Sequence, residues 1–263
     1  MAATRQMSAP GTACRAPTLI MKMDTRVLPD LDAVSRAALE EVLRAVQDAI
    51  KERGRFAIAL AGGHTPAKMY TLWAHAQKQG APIPWDKVHL FWGDERYVPH
   101  TDPLSNYRMA LETLIAHLPI PPANVHPMPG PEDFATPEKA AEAYEADLRR
   151  FFGSAPPALD VQLLGLGVEG HTASLFPGSP ALQEKKRWVA AVEAPAKPPQ
   201  RLTLTPVVLN QARNTFFLVC GADKRGIVAA LRNEPESKPS QYPVGMIRPA
   251  GRVLWFLDKA AEG

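Results

Sequence analysis

Gly165-Leu166-Gly167-Val168-Glu169-Gly170-His171-Thr172-Ala173-Ser174-Leu175-Phe176-Pro177-Gly178 follows directly on the apolar run Val161-Gln162-Leu163-Leu164. A short apolar run that stops at glycine predicts a buried strand. Glycines at its exit let the backbone turn sharply and approach a ligand. An ionisable pair delivered there sits where open α/β sheets place their sites, at the carboxyl end of a strand. His171 is therefore a candidate general base, with Glu169 near enough to orient or charge-stabilise the ring. The plainer alternative is a loop histidine with a satisfied backbone contact. Gly165 to Gly170 also matches G-x-G-x-x-G, and Glu193 at the end of a later strand could mimic the ribose-binding acid. That fingerprint needs a long helix opening at its third glycine, and Pro177 would break one within two turns. Ser174 is a nucleophile candidate, but no G-x-S-x-G elbow surrounds it.

Outward from this stretch, strands alternate with helical segments. Leu31, Val34, Ala38, Val42, Val46 and Ile50 recur at helical spacing over residues 30–53, and Gly54 ends the pattern. Apolar runs at Phe56 to Ala61, Val88 to Trp92, Trp188 to Val192, Leu202 to Thr205, Phe216 to Cys220 and Val253 to Phe256 predict strands. Helices are expected from Thr65 as N-cap with Pro66 as first helical residue, after Ser105-Asn106, over Glu138 to Phe152, and near 206–213 and 223–231. Pro119 to Pro137 predicts a proline-studded surface excursion, and Pro82 and Pro84 mark a linker. Such alternation argues for an α/β fold: a mainly parallel, Rossmann-like sheet with helices on both faces.

The chain has 263 residues, enough for one large domain. Residues 1–24 are expected to be a flexible extension and 25–263 a single α/β domain. Met1 to Lys22 contains Arg5 and Arg15 and no acid, a faint transit-peptide character, but it lacks the apolar centre of a secretory signal. The net charge of +3 is small and dispersed, which suits an anionic metabolite better than nucleic acid. Cys14 and Cys220 are the only cysteines. They form neither a disulfide framework nor a zinc signature, so a reducing cytoplasm is expected. No apolar run approaches the roughly 20 residues of a membrane span.

Two other strand ends carry chemistry. Gly62-Gly63-His64-Thr65-Pro66 opens a helix whose first amides are unpaired, and a phosphate would bind there with help from the Thr65 hydroxyl. Without a ligand it is simply a tight turn. Asp94, Glu95 and Arg96 follow another strand, either as site residues or as a solvated loop. Arg201 and Lys224 are dispersed cations of the kind a phosphorylated substrate needs.

Taken together, Ala61-Gly62-Gly63-His64-Thr65-Pro66, Phe91-Trp92-Gly93-Asp94-Glu95-Arg96-Tyr97-Val98-Pro99 with Ser105-Asn106-Tyr107-Arg108, Gly170 to Gly178, and Pro249-Ala250-Gly251-Arg252-Val253-Leu254-Trp255-Phe256-Leu257-Asp258 resemble the 6-phosphogluconolactonases. The resemblance spans about Val27 to Ala261. It implies hydrolysis of 6-phosphoglucono-δ-lactone, the fold shared with glucosamine-6-phosphate deaminase and ribose-5-phosphate isomerase, and no metal or organic cofactor. The expected partner is a small sugar-phosphate lactone, with no nucleic acid or membrane, on a monomer or weak homo-oligomer. His171 would then act as base, Glu169 would steady it and Arg96 would stabilise the oxyanion. Gly62, Gly63, His64, Thr65 and Asp94 would bind substrate, joined, by similarity to the deaminases, by Arg201 and Lys224. Two residues depart from the pattern: the family usually has serine where His64 stands and aspartate where Glu169 stands. A deaminase is the nearest alternative, but it would place a glutamate where this chain has Phe176. A non-catalytic sugar-phosphate sensor on the same fold is the other.

Overall fold

In a computed structural model, residues 24–79, 83–234 and 240–263 are described. Cys14, Arg5, Arg15, Pro82 and nearly all of the expected extension lie outside them. The elements in chain order are β1 (Thr25–Leu28), α1 (Leu31–Arg53), β2 (Phe56–Leu60), α2 (His64–Lys78), β3 (Val88–Trp92), β4 (Asp94–Arg96), α3 (Asn106–Thr113), α4 (Pro137–Phe152) and β5 (Val161–Leu164). They continue with β6 (Val189–Glu193), β7 (Gln200–Leu204), α5 (Pro206–Leu209), β8 (Asn214–Val219), α6 (Arg225–Arg232), α7 (Pro243–Met246), β9 (Arg252–Asp258) and α8 (Lys259–Glu262).

Six strands form a parallel sheet in the order β1-β9-β8-β5-β2-β3. Every residue of β2 and β5 is buried, as continuous apolar runs require when helices cover both faces. From β2 the chain adds β3 on one side, whereas β5, β8 and β9 extend the other. The crevice at this reversal, beyond the carboxyl ends of β2 and β5, is where such sheets bind ligands.

Two buried tyrosines finish the strands that lead into that crevice. The Tyr70 hydroxyl accepts from the Ala61 amide and donates to the Ala61 carbonyl, both at 2.9 Å. Tyr144 does the same at Trp92, at 2.9 and 3.3 Å. Main-chain groups that leave a sheet inside the protein need such partners. Burial pushes both phenol pKa values up, which keeps the hydroxyls as donors.

Several sequence expectations are corrected. β4, β6 and β7 form a separate antiparallel sheet in the order β4-β7-β6. Asp94 to Arg96 is thus a strand, too short and too charged to show an apolar pattern. The helix expected over 206–213 is one turn. Thr25–Leu28 is an additional strand, whose pairing with β9 decides its conformation. Finally, α2 begins at His64 with Gly63 as its N-cap and no capping side chain, so Thr65 is helical rather than the cap. Gly63, at φ 102°, takes a backbone turn closed to most side chains, and Ala67 N–H reaches Gly63 O at 3.1 Å to start the helix two residues early.

Candidate active site

Asp94 is the point at which three loops meet. Its carboxylate accepts a 2.6 Å hydrogen bond from the Ser174 hydroxyl, and its carbonyl accepts from the Asn106 amide at 2.9 Å. Asn106 in turn packs on Gly62, where an added Cβ would lie 1.9 Å from Asn106 Oδ1. The β2 turn, β4 and the His171 loop are therefore tied into one cluster at the carboxyl end of the sheet. Ser174, the sequence candidate for a nucleophile, is only 1% exposed and committed to Asp94, which makes it a tether.

Alternation along β4 splits its three side chains. Asp94 and Arg96 pair in register with Thr203 and Arg201 of β7, while Glu95 points the other way. Thr203 Oγ1 accepts from Ser174 N–H at 3.3 Å, a second tie to the His171 loop. Glu95 is buried and closes the amino end of α3. It accepts from the amides of Asn106, Tyr107 and Arg96, each at 2.7 Å, and from the Ser105 hydroxyl at 3.1 Å. Ser105 itself caps Arg108 N–H at 3.1 Å. Burial pushes the Glu95 carboxyl pKa up and the three main-chain donors pull it back. Glu95 is a structural acid; the signal for it was the capping pair Ser105-Asn106 that the sequence had already exposed.

Arg201 is 6% exposed, not a surface cation. Its Nε donates to Pro198 O at 2.8 Å, and among the described residues it forms no ion pair. Burial depresses its pKa, Arg96 beside it adds to that, and Asp94 and Glu95 oppose it. Arg96 is steered by a bond from its guanidinium to Leu104 O. Two neighbouring guanidiniums, one buried with no carboxylate on it, make a site for an anion.

His171 leaves the β5 loop against Gly167, where a Cβ would sit 1.9 Å from Nδ1 and 2.2 Å from Cε1. Only glycine lets the ring lie there. Nδ1 is buried and has no aligned hydrogen-bond partner. Glu169 Oε1 lies 3.0 Å from it but outside the donor's cone, so the longer arm makes an electrostatic contact and not a directed bond. The His171 side chain is 29% exposed, and with the Nδ1 edge covered its open edge is the one bearing Nε2. Phe176 packs on the ring at 4.4 Å. The loop is further held by Thr172 Oγ1 donating to Gly165 O at 2.9 Å and by Val244 N–H donating to Gly170 O at 3.0 Å. Tyr242 covers Gly170, a long-range contact with no local signal in the sequence. No helix opens at Gly170, so the G-x-G-x-x-G match is not a dinucleotide turn.

The remaining candidates are less committed. His64 is exposed at the start of α2. Thr65 is half-buried near the Cys220 thiol, whose pKa burial pushes up to about 11. Lys224 closes the 3-10 turn after β8 and pairs with Asp223 at 3.0 Å. All three stand at the carboxyl ends of β2 or β8.

Residues 29–255 match the family model described as glucosamine-6-phosphate isomerases/6-phosphogluconolactonase. A 6-phosphogluconolactonase of Nostoc sp. is 43% identical over 244 residues, covering 92% of this chain and 98% of that protein. The solved 6-phosphogluconolactonase of Trypanosoma brucei superposes with a TM-score of 0.77 at 31% identity, covering 91% of this chain and 97% of that one. That of Leishmania guyanensis gives 0.80 at 27%, covering 92% and 98%. Fold, loop order and these likenesses agree: the chain belongs to the glucosamine-6-phosphate isomerase/6-phosphogluconolactonase family.

Proposed function

We propose that the chain hydrolyses 6-phosphoglucono-δ-lactone to 6-phosphogluconate, the second step of the oxidative pentose phosphate pathway. The observation that carries this reading is a half-open imidazole tied through Ser174 and Asp94 to a pair of guanidiniums, one of them buried and without a carboxylate. His171 Nε2 takes a proton from water as the water oxygen bonds to the lactone carbonyl carbon. The carbonyl oxygen gains the electron pair, and Arg96 stabilises that charge. When the tetrahedral centre collapses, the ring C–O bond breaks and the imidazolium returns its proton to the departing alkoxide oxygen. Glu169 stabilises the imidazolium between these steps. The 6-phosphate lies against the Gly62–Thr65 turn and Arg201, with Lys224 in reach, and the substrate is small, soluble and anionic. Among the described residues no helix is long and apolar enough to cross a membrane.

The deaminase reading fares worse, because Phe176 supplies no proton donor at the face of His171 where it packs. Freshly made lactone followed by NMR, with an enzyme-free blank, tests the assignment. Consumption well above the spontaneous rate is expected, and a rate equal to the blank ends it. Binding of 6-phosphogluconate without lactone turnover would leave a sensor instead.

Arg201→Met separates binding from folding. A buried charge without a counter-charge costs stability, so an apolar residue of similar length should leave the ligand-free melting temperature unchanged or higher. Loss of the charge-assisted phosphate contact should raise KM by roughly 10-fold or more. A lower melting temperature with unchanged KM would make Arg201 a structural residue only.

A further inference from the structure

A second concentration of charge lies at the other end of the sheet. A cavity of about 670 Å³ opens at the amino ends of β5, β8 and β9, beside the C-terminal half of α1. None of Gly62, Asp94, Arg96, His171 or Arg201 lines it. β8 and β9 are six and seven residues long. That puts the cavity about 20 Å from the carboxyl-end cluster.

At its centre is Glu41, 3% exposed and held by three arginines. Arg26 Nη2 and Arg44 Nη1 both lie 2.8 Å from Oε1, and Arg252 Nη1 lies 2.7 Å from Oε2. Burial pushes the Glu41 pKa up, but hydrogen bonds from Arg252 and Arg26 outweigh it and the net shift is downward. The carboxylate is therefore ionised at neutral pH and cancels one of three positive charges. Each guanidinium has five N–H donors and spends one on Glu41, and these arginine side chains are 36%, 63% and 46% exposed. A second carboxylate, Asp160, is likewise flanked by two arginines, Arg53 at 2.9 Å and Arg213 at 3.5 Å. Asp48 and Glu52 complete the acids of the wall, so the lining carries five arginines against four acids. Glu52 is paired with Arg53, and the surplus is concentrated at the Glu41 end.

One buried carboxylate needs one guanidinium. Three of them, side by side in a concave and solvent-reachable space, leave N–H donors free for a further anion. We propose that this cavity is a second, non-catalytic site for a small phosphorylated metabolite, its phosphate dianion held by Arg26, Arg44 and Arg252. The Glu41 end sets three guanidiniums against Glu41 and Asp48, a net positive charge that favours an anion, and guanidinium forks match the tetrahedral oxygens of a phosphate better than single ammonium groups do. The volume falls in the range of small-ligand pockets, and Ala45 and Ala250 supply apolar wall for the rest of the molecule.

The site does not depend on the lactonase reading, and calorimetric titration with inorganic pyrophosphate keeps the two apart. Wild type is expected to show two classes of site. Arg201→Met should retain the Arg44-dependent class. Arg44→Gln, which leaves Glu41 paired with Arg26 and Arg252, should weaken that class about 10-fold or more while lactone kcat, KM and the melting temperature stay unchanged. Arg252→Gln should weaken it as well. Repeating the titration with adenosine diphosphate assigns the source: tighter binding than pyrophosphate indicates a nucleotide, and equal binding indicates that only phosphate is held. An Arg44→Gln isotherm identical to wild type, or a single class abolished by Arg201→Met, overturns the proposal.

Discussion

His171→Ala is expected to lower lactone turnover by roughly 10²–10⁴-fold, the contribution of one positioned general base. The fold should survive, because the ring is partly open to solvent and its buried Nδ1 holds no aligned hydrogen bond. Thr172 to Gly165, Ser174 to Asp94 and Val244 to Gly170 continue to hold the loop without it. The loss should appear in kcat with KM little changed, since the proposed phosphate contacts, the Gly62–Thr65 turn and Arg201, lie elsewhere. The lactone opens by itself, so rates must be compared after subtraction of an enzyme-free blank. A His171→Ala protein as fast as wild type would remove the imidazole from the mechanism while leaving the lactonase activity standing.

Glu95→Ala should be the most damaging change to stability near the site. It strips the acceptor from three main-chain amides and the Ser105 hydroxyl at a buried helix terminus. Unsatisfied buried donors of this kind cost about 3–5 kcal/mol together, allowing for water entry. For a chain of this size that is a fall of roughly 6–20 °C in melting temperature. Asn106, the residue packed on Gly62, rides on the same helix end, so turnover should also fall at temperatures where the protein is still folded. Glu95→Gln keeps an acceptor oxygen but turns an NH2 group toward donors, and it should fall between the two. Equal melting curves for wild type and Glu95→Ala would mean that α3 is capped by Ser105 alone.

Much of the scaffold was legible because its signals are local. The spacing of apolar residues in α1 with Gly54 behind it, the fully buried β2 and the Ser105 cap are each decided within a few residues of chain. Thr65 was misplaced as the cap because Gly63 could turn the chain earlier than a side-chain cap would. β4 could not be read at all: three charged residues become a strand only because β7 lies alongside to pair with them. The same holds for β6 and β7, whose apolar runs predicted strands but not their antiparallel direction.

By itself the sequence determined the type of architecture, the strand ends that carry glycine, carboxylate and imidazole, and the family that those loops resemble. The tertiary structure decided which of those groups meet. Ser174 reaches Asp94 across 80 residues, β4 and β7 set Arg96 beside Arg201, and Arg252 returns across 211 residues to a helix acid, Glu41. The reason is physical: backbone preference and apolar spacing act over a turn or two of chain. Burial of a charge and the company it keeps are properties of the packed whole.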